Sequence, residues 1–174
     1  GMDIHQLQVI LESFGRVRLV GKQFGVLRID RLNIDWSIPR TDGTGRKPKV
    51  TFDPNMSLKE AFKRRDLTIN AMGIDLVTNQ LEDPFGGQRD LQLKLLRAPD
   101  AKLFVEDPLR FFRVMQFIGR LQMWPDDELQ ELCATMDLSA VSDERIYQEF
   151  EKLFLKSKKP SLGIQWLHDV GRLK

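Results

Sequence analysis

The chain changes character near Pro99. After it every segment reads as helix. Phe104 to Leu121 is long and apolar on one face (Leu109, Phe112, Met115, Phe117), and Pro125 to Met136 is a second helix. Val141-Ser142 caps a third that runs to Phe154, and Ser161 starts a fourth. Before Pro99, short strands and helices mix without the strand–helix–strand rhythm of a doubly wound sheet. The class this implies is α+β: a mixed sheet with helices over 1–99, then an all-helical part over 100–174. There is no internal repeat and no low-complexity segment.

Within the first part, Met2 to Phe14 reads as an amphipathic helix with Ile4, Leu7, Ile10 and Leu11 on one side, ended by Gly15. Val17 to Val20 and Gly25 to Ile29 read as strands broken by Gly21. Leu32 to Ile38 alternates and is expected to be the clearest strand, stopped by Pro39. Thr41 to Lys49 is a Gly, Lys, Arg and Pro loop, expected to be partly disordered. A plain surface loop and a phosphate or RNA contact are equally good readings of it. Ser57-Leu58-Lys59-Glu60 is a capping box that opens a helix running to about Arg65. Ile74 to Val77 and Gln80 to Glu82 flank Thr78-Asn79 as a hairpin. Asp83-Pro84-Phe85-Gly86-Gly87 is a turn before a helix carrying Asp90 and Leu91, and Leu95 to Arg97 is a last strand.

Composition excludes more than it assigns. With 174 residues and a net charge of +2, no global basic field exists, so nucleic-acid binding has to come from local clusters. One runs from Arg40 to Arg65 and another from Lys152 onward (Lys156, Lys158, Lys159, Arg172, Lys174). A charge run is usually a solvated face, so neither cluster is decisive alone. The single cysteine, Cys133, excludes an internal disulfide and suits a reducing cytoplasm, and it reads as a small core residue. His5 and His168 have no second ligand at metal spacing. No apolar run is long enough to span a bilayer, so no membrane partner is expected.

The stretch from Lys63 to Met72 is different. Arg64-Arg65-Asp66 stands beside Thr68 and Asn70 with apolar residues between. Guanidiniums take phosphate oxygens in bidentate fashion, and Asp and Asn take sugar hydroxyls, so an anion carrying a sugar would use them all. A solvated, cationic helix end is the plainer alternative, and composition alone slightly favours it.

Four motifs follow one another in order. They are Arg64-Arg65-Asp66-Leu67-Thr68-Ile69-Asn70-Ala71; Asp83 to Gly87 with Asp90-Leu91 and Leu96-Arg97; Glu106-Asp107-Pro108-Leu109-Arg110 with Arg113; and Glu144-Arg145 with Glu149. Together they resemble the class II tRNA nucleotidyltransferase and bacterial poly(A) polymerase family, which adds CCA or A tails to RNA. Val20-Gly21-Lys22 with Phe24-Gly25-Val26, Ile34-Asp35 with Ile38-Pro39-Arg40, and Asp53-Pro54-Asn55 fit the same pattern. The resemblance implies a nucleotidyltransferase head followed by a helical neck on the base-recognition and RNA-binding side. It implies ATP or CTP as ligand and RNA, a tRNA 3′ end, as partner. It places Arg65, Asp66 and Asn70 near ribose and phosphates. It makes Asp107 and Arg110, three apart on one helix, the reader of the base edge, with Arg113 adding to base or phosphate binding. Without the resemblance, Asp107 and Arg110 read as a helix-surface ion pair of little worth. Asp83, Gly86 and Gly87 belong to a structural motif. Glu144, Arg145 and Glu149 are expected to brace the helical part through ion pairs.

One feature of that family is not in this sequence. Its Mg²⁺ site uses a glycine-rich turn followed by two aspartates one residue apart, and no two aspartates here are two positions apart. Asp35 matches an acidic position beside the metals, but one carboxylate cannot hold two Mg²⁺ ions. The expectation is therefore an incomplete head, inactive alone, whose metal-binding hairpin is missing or comes from another chain. The alternative is a degenerate, non-catalytic nucleotide- or RNA-binding module. A head lacking a hairpin would also present free strand edges, which dimerisation or a rearranged first helix would cover.

Overall fold

Asp3 sets the first element. Its carboxylate accepts from the amides of His5 and Gln6 at 2.8 and 2.9 Å, while Gln6 accepts from the Asp3 amide at 3.0 Å. This capping box opens α1 (Ile4–Glu12). The computed structural model describes residues 1–20, 25–42 and 50–173. The chain divides into two compact units, Gly1–Ala61 and Phe62–Lys174.

In the first unit, α1 is followed by β1 (Val17–Val20), β2 (Val26–Ile29) and β3 (Asp35–Ser37). They form an antiparallel sheet in the order β1-β2-β3, with Val17 opposite Ile29 and Val26 opposite Ser37. Leu11, Leu27 and Ile29 are its core, packed with Ile4, Leu7, Val17 and Trp36. The strand expected over Leu32–Ile38 is shorter. Arg31 turns the chain in a left-handed conformation (φ 71°), Leu32 donates to the Ile29 carbonyl at 3.1 Å, and Leu32 and Ile34 are exposed. The alternation is real, but β2 offers only three paired residues. The loop expected from Thr41 also needs correction. β4 (Arg40–Asp42) pairs with β5 (Val50–Phe52), so Thr41 and Asp42 lie in a hairpin strand. The rest of that loop, residues 43–49, lies outside the described residues, as do Gly21, Lys22 and Phe24 of the resemblance. Gly25 has φ 56°, and a Cβ there would stand 2.5 Å from the Phe52 ring, so glycine is required where β2 passes β5.

α2 (Leu58–Lys63) leads into the second unit. There follow β6 (Gly73–Ile74), β7 (Leu81–Glu82), α3 (Gly87–Leu93), β8 (Leu95–Leu96), α4 (Ala101–Val105) and α5 (Leu109–Leu121). β9 (Trp124–Pro125), α6 (Asp127–Thr135), α7 (Asp143–Lys156) and α8 (Pro160–Asp169) complete it. The architecture is α+β as expected. The strands of the described residues, however, make four separate small sheets rather than one mixed sheet, and one of them, β8 with β9, is parallel.

α5 is the centre of this unit. Phe111, Phe112, Val114, Met115, Gln116, Phe117, Ile118 and Gly119 are all buried, so the helix is covered on most of its circumference rather than on the one face expected. α7 and α8 lie close against it. A Cβ at Gly163 would fall 2.7 Å from the Met115 carbonyl oxygen, and one at Gly119 would fall 2.5 Å from Leu153. The single helix expected over Phe104–Leu121 is two. Pro108 has no amide hydrogen and disfavours a helical residue before it, so the chain breaks at Glu106-Asp107 and restarts at Leu109. Leu67 and Leu96, which precede the expected division near residue 100, share one core with Phe104, Phe111 and Trp166. Among the described residues no helix is long and apolar enough to cross a membrane.

Candidate functional site

The Arg64–Asn70 turn leaves α2 with Arg65 donating to the Phe62 carbonyl at 3.0 Å. Leu67 is extended, and Thr68–Asn70 forms a 3-10 turn. Asp66 is buried beneath it. Its Oδ1 accepts from the Leu67 amide at 2.9 Å and from Asn70 Nδ2 at 3.1 Å. Its Oδ2 accepts from Nε and a terminal nitrogen of Arg113, both at 2.6 Å. Arg65 Nε donates to the Asn70 carbonyl at 3.0 Å. Arg65, Asp66, Asn70 and Arg113 are thus one hydrogen-bonded group, with the Arg113 guanidinium 5.5 Å from the Phe117 ring centre.

A second group supports the turn from below. The Thr68 amide donates to the Arg97 carbonyl at 2.9 Å, and its hydroxyl donates to Asp90. Asp90 is 1% exposed and accepts from Arg97 Nε at 2.8 and 2.9 Å. That hydrogen bond is the main reason the Arg97 pKa is raised. Gly86 is left-handed (φ 76°), and a Cβ at Gly87 would stand 2.4 Å from the Thr68 carbonyl oxygen. The two glycines therefore let α3 start directly under the turn. Asp83 accepts from the Gly87 and Gln88 amides at 2.7 and 3.0 Å. Partial burial works against its charge, but these amides outweigh it and hold its carboxyl below the usual carboxylate range.

The break before α5 brings the third group. Asp107 lies outside the helix, so it and Arg110 do not share one helix face, which corrects the expectation. Its Oδ1 accepts from the Leu109 amide at 3.2 Å and pairs with Arg145 at 3.3 Å. Arg110 donates to the Leu103 and Arg64 carbonyls, each at 2.6 Å, tying the ends of α4 and of the α2 segment to α5. Burial pushes its pKa down, opposed by Asp107 and Asp66. Glu149 is buried and bonded to Lys152 at 2.6 Å. Arg145 and Glu149 each make an ion pair. Glu144 makes none among the described residues and stands exposed in the first turn of α7, where a negative charge suits the helix dipole.

Residues 8–97 match the poly A polymerase head domain family. The chain belongs to that family. It is 36% identical to a multifunctional CCA protein of Xanthomonas campestris pv. campestris over 185 aligned positions, covering 100% of this chain and 43% of the relative. The Bacillus stearothermophilus CCA-adding enzyme solved with CTP superposes with a TM-score of 0.82 at 27% identity, over 97% of this chain and 41% of that one. The Thermotoga maritima CCA-adding enzyme complexed with tRNA gives 0.76 at 27%, over 99% and 40%. The chain thus spans less than half the length of these relatives.

The head-domain match covers the motifs at Arg64–Ala71 and Asp83–Arg97, but it does not give the partners their side chains choose. Asp90 and Arg97 stood in a recognised motif, yet nothing in the sequence set them under Thr68. The Arg64 and Leu103 carbonyls held by Arg110 have no sequence signal at all. Among the described residues the carboxylates do not fit a magnesium site. Asp35 lies in the other unit, bonded to Arg28 at 2.6 Å, and Asp66 and Asp90 are each neutralised by an arginine. Among the described residues no three His, Cys, Asp or Glu side chains gather as metal ligands. Cys133 is a buried member of the core, and burial pushes its thiol up to about 12.

Proposed function

We propose that this chain is the nucleotide-binding part of a template-independent nucleotidyltransferase that adds CMP or AMP to RNA 3′ ends, a tRNA end above all. Residues 1–99 would form its head and 100–174 its helical neck, working in the cytoplasm. The observation that carries the reading is the clustering of Arg65, Asp66, Asn70, Arg113, Asp107 and Arg110 around the start of α5, all within one compact unit. Family membership and the CTP- and tRNA-bound relatives support it. Arg65 is exposed, and of its guanidinium nitrogens only Nε is bonded to a described residue, so its terminal nitrogens are suited to a phosphate oxygen. The Asp107 carboxylate can accept from a base's exocyclic amine once it leaves Arg145. Arg110 orients the α4–α5 corner through its bonds to the Leu103 and Arg64 carbonyls. The Mg²⁺ such chemistry employs would need carboxylates from another segment or chain.

Titration calorimetry tests this with CTP and ATP. The unmutated chain binds at least one of them, and Asp107→Ala loses that binding with an unchanged melting temperature. Alone, the chain does not extend tRNA in Mg²⁺ with CTP and ATP. Absence of nucleotide binding leaves the second reading, a module that has kept the fold without the ligand. The full neutralisation of Asp66 and Asp90 by arginines is what favours that reading.

A further inference from the structure

We propose that the corner where α7 meets α8 is a contact for an RNA strand, separate from the nucleotide site. From Lys152 to His168 the sequence has four lysines and no Asp or Glu, in a chain whose net charge is only +2. Lys152 is engaged by Glu149. Lys156, Lys158 and Lys159 are exposed and in no ion pair among the described residues. Beside them Phe154 and Leu155 are 56% and 76% exposed, and the Phe154 ring stacks on Phe150 at 6.3 Å and 27°. The corner is fixed in place. The Lys159 amide donates to the Gly119 carbonyl at 3.2 Å, and Gly119 and Gly163 let both helices approach α5 closely. α8 starts with no side-chain cap, so its positive end adds to the same field.

This combination selects its partner. Lysines are depleted from the centres of protein–protein contacts, whereas unpaired cations flanking a presented aromatic ring suit phosphates with an unstacked base on the ring. An RNA strand supplies both. The inference rests on the nucleotidyltransferase reading, which requires an RNA acceptor, and it adds where that acceptor's backbone is gripped. None of the nucleotide-site residues belongs to this segment.

Fluorescence anisotropy with an RNA stem-loop bearing an unpaired 3′ end, across a salt series, tests it on the whole chain. Lys156→Gln/Lys158→Gln/Lys159→Gln is expected to weaken binding roughly 10- to 100-fold near 0.1 M salt. It should also flatten the slope of log K against log salt by about 2 to 3, the share of three phosphate contacts. The triple lysine-to-arginine variant keeps both. Phe154→Ala weakens binding about tenfold and leaves the slope alone. CTP calorimetry on the same variants stays at the unmutated value. That separates the two ideas, since a chain that binds RNA but no CTP sinks the nucleotide site alone. The RNA proposal is overturned if the unmutated chain does not bind the stem-loop, or if the glutamine variant keeps affinity and slope. It is equally overturned if Lys94→Gln/Lys102→Gln lowers them as much, or if the glutamine variant loses only binding to phosphatidylserine vesicles.

Discussion

The buried carboxylate of Asp90 is paired with Arg97 at 2.8 Å. Removing one member of such a pair leaves an uncompensated charge and costs about 3–5 kcal/mol, whereas removing both is far milder. Arg97→Met is therefore expected to lower urea stability by about that amount, and Asp90→Asn/Arg97→Met to recover most of it. Additive single-variant costs would mean that the pair is not a unit. Arg110 is the second case. Its two bonds to carbonyls join three chain segments, so Arg110→Ala is expected to cost about 2–4 kcal/mol in denaturant titration. Asp107→Ala, whose half-exposed carboxylate accepts a long bond from the Leu109 amide and pairs with exposed Arg145, stays within about 1 kcal/mol of the unmutated chain. The family resemblance implied that Asp66, Arg113, Asp107 and Arg110 share one site, but not how they pair. Arg113 meets Asp66 across 47 positions, and no periodicity encodes a contact at that range.

Elements were legible wherever a local signal decided them. The start of α2 was written in Ser57 and Glu60, whose amide bonds the Ser57 hydroxyl at 3.2 Å. α3 was written in Gly86-Gly87 after Asp83. Reading failed where tertiary partners or backbone chemistry overrode the pattern. Leu32 and Ile34 alternate but face no strand, β4 pairs through a segment rich in turn residues, and Pro108 splits a continuous apolar run. Asp100 shows how much one local signal contributes. It caps α4 by accepting from the Leu103 amide at 2.9 Å. That bond, with nearby Lys63, lowers its pKa in spite of some burial. A carboxylate with a lowered folded pKa contributes stability above its unfolded value, about 3.9. The contribution is lost as pH falls through the folded value. Asp100→Ala is thus expected to cost about 1 kcal/mol at pH 7. The gap between variant and unmutated chain should close as the pH of the melts is taken below about 4. A gap that persists at low pH would show that the carboxylate is not the cause.

At the scale of the whole molecule, the apolar residues are unequally shared. The first unit's cluster is three buried side chains, Leu11, Leu27 and Ile29, with a partly buried rim. The second has an extensive core around Phe104, Phe111, Met115, Ile118, Leu153 and Trp166. Small cores rarely offset the conformational entropy of their own chain, so the two units should differ in autonomy. A fragment of residues 57–174 keeps the Ser57 cap, all of α2 and the whole second core. It is expected to melt cooperatively by circular dichroism, while residues 1–56 alone should show no cooperative transition. The fragment also holds Arg65, Asp66, Asn70, Asp107, Arg110 and Arg113, but not Asp35. If base and triphosphate are held by those six residues, the fragment binds CTP or ATP within a few-fold of the whole chain. A folded fragment that has lost nucleotide binding would move part of the site into residues 1–56, with Asp35 and its partner Arg28 the first to substitute in the full-length chain.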